Sequence, residues 1–307
     1  LRKLSKGWAV IINPKAKAGT TKKKISIIKR LLDSEKINSS YYKTRSAGDE
    51  INIVKRAVKD GFRKFICVGG DGTIQKIIAG IQIQKVCDPK KIVVGIIPLG
   101  TGNDWAKSIE VPLNIKGAIK KIKEGKTKKR DLGVVVIKDK RQIKKRYFIS
   151  YSGVGFDAFM LNRLQPYKWL GKYAYLACSI ANFWFYKNTR ISVEGKKFSL
   201  SKNIFLCGVG VSKYTGGGMQ IIKNPAGNNG LLNLTVAHDF TKIDIIKNFF
   251  NLFNGTIFND RKVLTVVDSK IKMVSKTGFL TCHGDGEIFG SGNLTFFVQR
   301  KQITHIC

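Results

Sequence analysis

Three short stretches place carboxylates beside glycines in patterns that could run a reaction: Gly69-Gly70-Asp71-Gly72-Thr73, Gly100-Thr101-Gly102-Asn103-Asp104 and Asp285-Gly286-Glu287. The first sits between an apolar run at residues 64–68 and a helical pattern at 73–83. A strand that feeds a helix through a glycine turn aims backbone N–H groups and the positive helix end at one point, which suits a phosphate. Gly69, Gly70 and Gly72 allow a close ligand approach, and Thr73 can cap the helix or donate to a phosphate oxygen. Asp71 beside a phosphate makes sense if Mg²⁺ lies between them, or if it takes a proton from an attacking hydroxyl. The plainer reading is a βα turn with Asp71 as a cap.

The second stretch follows another apolar run, residues 92–97, and Asn13-Pro14 ends a third at Trp8–Ile12. In an open parallel sheet, ligands sit outside the carboxyl ends of the strands. Loops after three such strands can therefore face one crevice, which a pair of ordinary turns would not explain. Asp285-Gly286 also fits a tight hairpin turn, so Glu287 gains meaning only beside the other two loops.

The elements that must hold these loops alternate. Apolar runs at 8–12, 64–68 and 92–97 read as strands, a further strand is expected at 40–43, and amphipathic stretches at 20–32, 50–59 and 73–83 read as helices. The fold class expected for residues 1–130 is α/β, a parallel sheet with helices on both faces. From about Asp131 short β-branched and aromatic runs recur at 132–137, 147–151, 204–211, 231–237, 263–267 and 294–298, with helices at 170–186 and 241–253. Residues 131–307 are thus expected to form a β-rich, sandwich-like second domain, whose last residues can return to the first. The basic segment 116–130 reads as the hinge.

Composition narrows the chemistry further. In 307 residues there are 56 Lys and Arg against 20 Asp and Glu, a net charge of +36, and only three histidines, His238, His283 and His305. A His-rich metal centre is excluded. The charge favours polyanions or an anionic membrane surface. The basic clusters lack the interleaved aromatics that would stack bases, so nucleic acid is disfavoured. The longest nearly uncharged apolar stretch, residues 174–186, falls short of the roughly 20 needed to span a bilayer. With no signal-like start, a cytoplasmic, peripherally membrane-associated protein is expected; Leu1 in place of Met leaves open that an upstream segment is removed. Six cysteines without C-x-x-C spacing read as reduced small hydrophobes, and no heptad pattern defines an oligomeric state.

Asn13-Pro14, Gly-Gly-Asp-Gly-Thr and Pro-Leu-Gly-Thr-Gly-Asn-Asp, in that order, with Gly216-Gly-Gly-Met219 and Asp285-Gly-Glu287 downstream, resemble the diacylglycerol kinase family, which includes sphingosine and ceramide kinases. The resemblance spans nearly the whole chain. It implies an α/β catalytic domain of the NAD kinase/diacylglycerol kinase kind, a β-rich second domain and ATP in the crevice between them. By the same resemblance Asn13, Pro14, Thr44, Gly69, Gly70, Asp71, Gly72, Thr73, Gly100, Thr101, Gly102 and Asn103 match the nucleotide-binding positions, with Asp71 and Asp104 near the phosphates and Mg²⁺. Asp285 and Glu287 match carboxylates that deprotonate the lipid hydroxyl. Either Glu287 or Asp71 could be that base; Glu287 is preferred because its motif belongs to the opposite domain.

Two positions depart from the family's pattern. Gln75-Lys76 stands where many members have Asn-Glu, and Asn228-Asn229 replaces an acidic pair that binds a structural Mg²⁺ in some bacterial members. Lys15, Lys17 and Lys76 are candidates for neutralising phosphate. Phe156, Phe159, Met160, Leu161 and Trp169, with the helix at 174–186, could line an acyl-chain cleft, and His283 could assist proton transfer. The expected activity is an ATP- and Mg²⁺-dependent lipid kinase. An NAD kinase, a basic nucleic-acid-binding protein and an inactive lipid-binding relative are the alternatives.

Overall fold

A computed structural model describes residues 7–14, 21–276 and 278–307. The chain divides into two compact units, Leu1–Arg130 with Lys301–Cys307, and Asp131–Arg300. The first contains β1 (Trp8–Ile12), α1 (Thr21–Ser34), β2 (Ser39–Lys43), α2 (Asp49–Lys59), β3 (Lys64–Gly69), α3 (Asp71–Ile83), β4 (Val93–Pro98), α4 (Asp104–Ser108) and α5 (Ile115–Glu124). Its strands pair in parallel in the order β2, β1, β3, β4, and Thr304 and His305, near the chain's end, pair in parallel with Val93 and Val94 of β4. Ala9 to Ile12 and Phe65 to Val68 are wholly buried, which is why these runs carry no polar alternation.

The stretch expected to be a hinge, 116–130, is instead α5 and the start of β5 (Thr127–Lys138). The Asn114 side chain accepts from the Gly117 amide and caps the helix, while Ala118, Ile119 and Ile122 bury one face. Lysines fill the other face. The charge run concealed an ordinary amphipathic helix.

The second unit is antiparallel. After β5 come β6 (Ile143–Phe148), β7 (Tyr151–Gly155), α6 (Phe156–Arg163), a 3₁₀ segment at Gln165–Tyr173, α7 (Ala174–Asn182), a 3₁₀ turn at Phe183–Phe185, β8 (Thr189–Glu194) and β9 (Ser199–Gly210). β10 (Leu232–His238), α8 (Lys242–Asn248), α9 (Asn251–Asn254), β11 (Val263–Asp268), β12 (Lys270–Ser275), β13 (Leu280–Gly284) and β14 (Glu287–Ile306) complete it. Strand pairing runs β9 to β7, β13, β14, β12, β8 and back to β9. The sandwich-like unit thus contains a closed, barrel-like ring around Val154, Val193, Cys207, Val209, Ile271 and Phe296. β8, β12 and β13 escape a reading by hydrophobic runs because charged residues alternate along the first two and Cys and His interrupt the third.

Candidate active site

The strand order β2, β1, β3 reverses direction between β1 and β3, so the carboxyl ends of these two strands form the sheet's switch point, where ligands of open α/β sheets bind. Asn13 leaves β1 there and its side-chain amide donates to Thr73 Oγ1 at 3.2 Å. The Asn13 backbone amide donates to the Val68 carbonyl, and the Thr44 amide, just beyond β2, donates to the Ile12 carbonyl. Asn13, Thr44 and Thr73 are thereby gathered at one sheet edge. Residues 15–20, with Lys15 and Lys17, lie outside the described residues.

The two glycine loops meet backbone to backbone. A β-carbon on Gly70 would stand 2.8 Å from the Gly100 Cα, and one on Gly100 would stand 2.5 Å from the Gly70 Cα. Only glycine at both positions permits this approach. The Leu99 amide donates to the Gly69 carbonyl at 2.8 Å, and the Trp105 amide donates to Asp71 Oδ1 at 2.9 Å. Asn103 closes its own loop: its Oδ1 accepts from the Gly100 amide at 2.8 Å and its Nδ2 donates to the Gly100 carbonyl at 3.0 Å. A β-carbon on Gly72, in the first turn of α3, would meet nothing within 4 Å. An open surface at a helix N-terminus is what a phosphate requires.

Asp71 therefore does two things: one oxygen fastens the second loop, and the half-buried carboxylate stays at the helix start. Asp104 is 4% exposed, with the Lys107 ammonium 3.5 Å from its Oδ1. Two carboxylates beside a phosphate cradle fit Mg²⁺, which characteristically takes one or two carboxylates together with substrate phosphates. Among the described residues no group of three or more His, Cys, Asp or Glu side chains forms a cage for a metal. Asn229 is exposed and caps its own loop, its Oδ1 accepting from the Leu231 amide. Gln75 is buried and Lys76 half-buried on α3. A cleft of about 310 Å³ touching Trp8 and Lys64 lies at the opposite ends of β1 and β3 and contains none of these groups.

In the second unit Asp285 and Gly286 have φ of 49° and 83° and join β13 to β14 as a two-residue hairpin closed by the pair Gly284 and Glu287. Both oxygens of Asp285 are engaged: Oδ2 accepts from the Ile149 amide at 2.7 Å, and Oδ1 from the Ser150 and Tyr151 amides at 3.0 and 3.1 Å. This explains why the expected strand 147–151 breaks into β6 and β7, since these amides leave the ladder for a carboxylate. It also gives Asp285 an anchoring task, while the Glu287 side chain, at the far side of the turn, is exposed. His283 points elsewhere: its Nε2 is 2.8 Å from Asp157 Oδ2, which also accepts from the Tyr151 hydroxyl at 2.7 Å. That buried trio went unread because Asp157 stands in no recognisable motif.

Of the residues proposed to line an acyl cleft, Met160 is wholly buried core, Phe156 and Phe159 pack partly buried against an aromatic cluster, and Trp169 is 81% exposed. Among the cysteines Cys67, Cys178, Cys207 and Cys282 are buried and none is in a disulfide; burial pushes the Cys282 thiol up to about 12.

Residues 7–135 match the diacylglycerol kinase catalytic domain, and residues 150–306 match the YegS C-terminal NAD kinase beta sandwich-like domain. A "Probable lipid kinase YegS-like" from Cronobacter sakazakii is 30% identical over 63% of this chain and 62% of that protein. A diacylglycerol kinase from Staphylococcus carnosus is 30% identical over 48% of this chain and 44% of its own length, so the chain spans less than two thirds of either relative. The fold is shared with a crystal structure of a diacylglycerol kinase from Bacillus anthracis, at a TM-score of 0.74 and 20% identity over 98% of this chain and 96% of that one. The glycine loops, the hairpin carboxylates and both domain matches place this chain in the diacylglycerol kinase family of lipid kinases.

Proposed function

We propose that the chain transfers the γ-phosphate of ATP to a hydroxyl of a diacylglycerol or a related lipid. The observation that supports this most is the backbone contact of Gly70 with Gly100 at the sheet's switch point, locked by Asp71 on the Trp105 amide. In this reading the loop amides at Gly70 to Gly72 and Thr101 to Asn103, with the Thr73 hydroxyl, hold the phosphates, and Gly100, Asn13 and Thr44 lie at the same edge. Asp71 and Asp104 would hold Mg²⁺, which when bound offsets the phosphate charge.

The chemistry asked of the chain's own residues is modest. The acceptor oxygen forms a bond to the γ-phosphorus as the bond from that phosphorus to the bridging oxygen of ADP breaks. Glu287 accepts the hydroxyl proton, and ADP leaves with the bridging oxygen. Asp285 keeps the hairpin, and so Glu287, in place.

The likeness of the second unit to the NAD kinase sandwich supports one other reading, phosphorylation of NAD. A labelled-phosphate assay with dispersed diacylglycerol and with NAD separates the two. Product from lipid alone supports the proposal, and product from NAD alone overturns it.

A further inference from the structure

The second unit exposes large apolar side chains in one neighbourhood. Along α8, α9 and the two residues that join them, Ile243 is 64% exposed, Ile246 63%, Phe250 75% and Phe253 42%, spaced by three, four and three residues. Backbone angles stay helical through Phe249 and Phe250 between the two segments, so these four form one stripe. The inner side is already satisfied, because Ile245 and Leu252 pack against the apolar cluster that contains Phe205, Phe240 and Ile257. A helix that buries one apolar stripe and turns a second to solvent is not explained by the unit's own core.

A second exposed group adjoins the start of this helix. The Lys242 ammonium donates to the carbonyls of Phe183 and Tyr186 and lies 4.7 Å from the Phe183 ring centre. This holds Trp184, 69% exposed, and Phe185, 72% exposed, beside the α8 N-terminus.

Charge decides the partner. Residues 158–193, which carry Trp184 and Phe185, contain five Lys and Arg and no Asp or Glu. Asp244, the acidic residue of α8, is held by Lys262 at 2.6 Å. A second copy of this face would bring like charges together, whereas anionic headgroups meet the lysines while the aromatic and aliphatic groups enter the interfacial region. We propose that Ile243, Ile246, Phe250 and Phe253, along α8, α9 and the residues that join them, form with Trp184 and Phe185 the surface by which this protein docks on an anionic lipid bilayer. The proposal rests on the reading of the acceptor as a lipid.

The test is sedimentation with vesicles of phosphatidylcholine alone and of phosphatidylcholine with phosphatidylglycerol, using wild type, Ile246→Ser/Phe250→Ser and Trp184→Ser. Phosphorylation of a dispersed short-chain diacylglycerol is measured alongside. The expected result is salt-sensitive binding to the anionic vesicles that the double variant weakens at least tenfold, with short-chain turnover unchanged. Variants that bind like wild type, or a wild-type dimer that the double variant dissociates, would overturn the docking surface. Turnover of short-chain lipid without vesicle binding would overturn docking while leaving the lipid-kinase reading standing. Vesicle binding lost in the double variant, from a wild type that phosphorylates no lipid, would support the surface and sink that reading instead.

Discussion

Gly70 and Gly100 touch through their backbones, so closely that a β-carbon on Gly100 would lie 2.5 Å from the Gly70 Cα. Two loops separated by α3 and β4 are thereby brought backbone to backbone at the ends of β3 and β4. Gly100→Ala forces them apart and should cost about 1–3 kcal/mol of stability. ATP affinity should fall at least tenfold, measured by calorimetric titration, while Gly72→Ala, with open space around it, should weaken ATP without loss of stability.

Asp71 separates positioning from chemistry. In Asp71→Asn the amide oxygen can still accept from the Trp105 N–H, so thermal stability should stay within a few degrees of wild type while turnover drops a hundredfold or more. Asp71→Ala loses both. Equal turnover in Asp71→Asn and wild type would show that the carboxylate only fastens the loop.

The hairpin makes the complementary case. Removing the Asp285 carboxylate orphans the amides of Ile149, Ser150 and Tyr151, all in residues at most 6% exposed. At about 1–3 kcal/mol for each buried unsatisfied group, Asp285→Ala should unfold at markedly lower urea. Glu287→Gln should leave the urea midpoint unchanged and abolish transfer.

Acid should loosen the first unit through His305. Burial lowers its pKa from 6.5 to about 4, and its ring packs edge-on against Trp105, 5.8 Å between centres. Between those values the unfolded chain binds a proton that the folded unit refuses. Stability is therefore fully present above about pH 6.5 and drains away as pH falls toward 4, by roughly 2–3 kcal/mol. Urea unfolding across that range should show the loss, and His305→Phe should flatten it.

β1, β3 and β4 were legible in the sequence because each is a largely buried apolar run ending in a turn signal, and the glycine loops because their spacing places them at strand ends. What sequence alone concealed has two causes, an apolar stripe too narrow to stand out and partners distant along the chain. α5 hid inside a lysine run because Ala118, Ile119 and Ile122 announce only a narrow stripe. Asp285 looked like a hairpin residue and a base, and its service to amides more than 130 residues away was invisible. His283, a candidate for proton transfer in the sequence, is paired by folding with Asp157.

The most direct measurement is transfer of labelled γ-phosphate from ATP with Mg²⁺ to a panel of extracted lipids and to NAD, by wild type, Asp71→Asn and Glu287→Gln. A labelled lipid, formed by wild type and lost in both variants, is the predicted result. Label in NAD alone, or a lipid product that survives Glu287→Gln undiminished, would contradict the proposed acceptor or the proposed base.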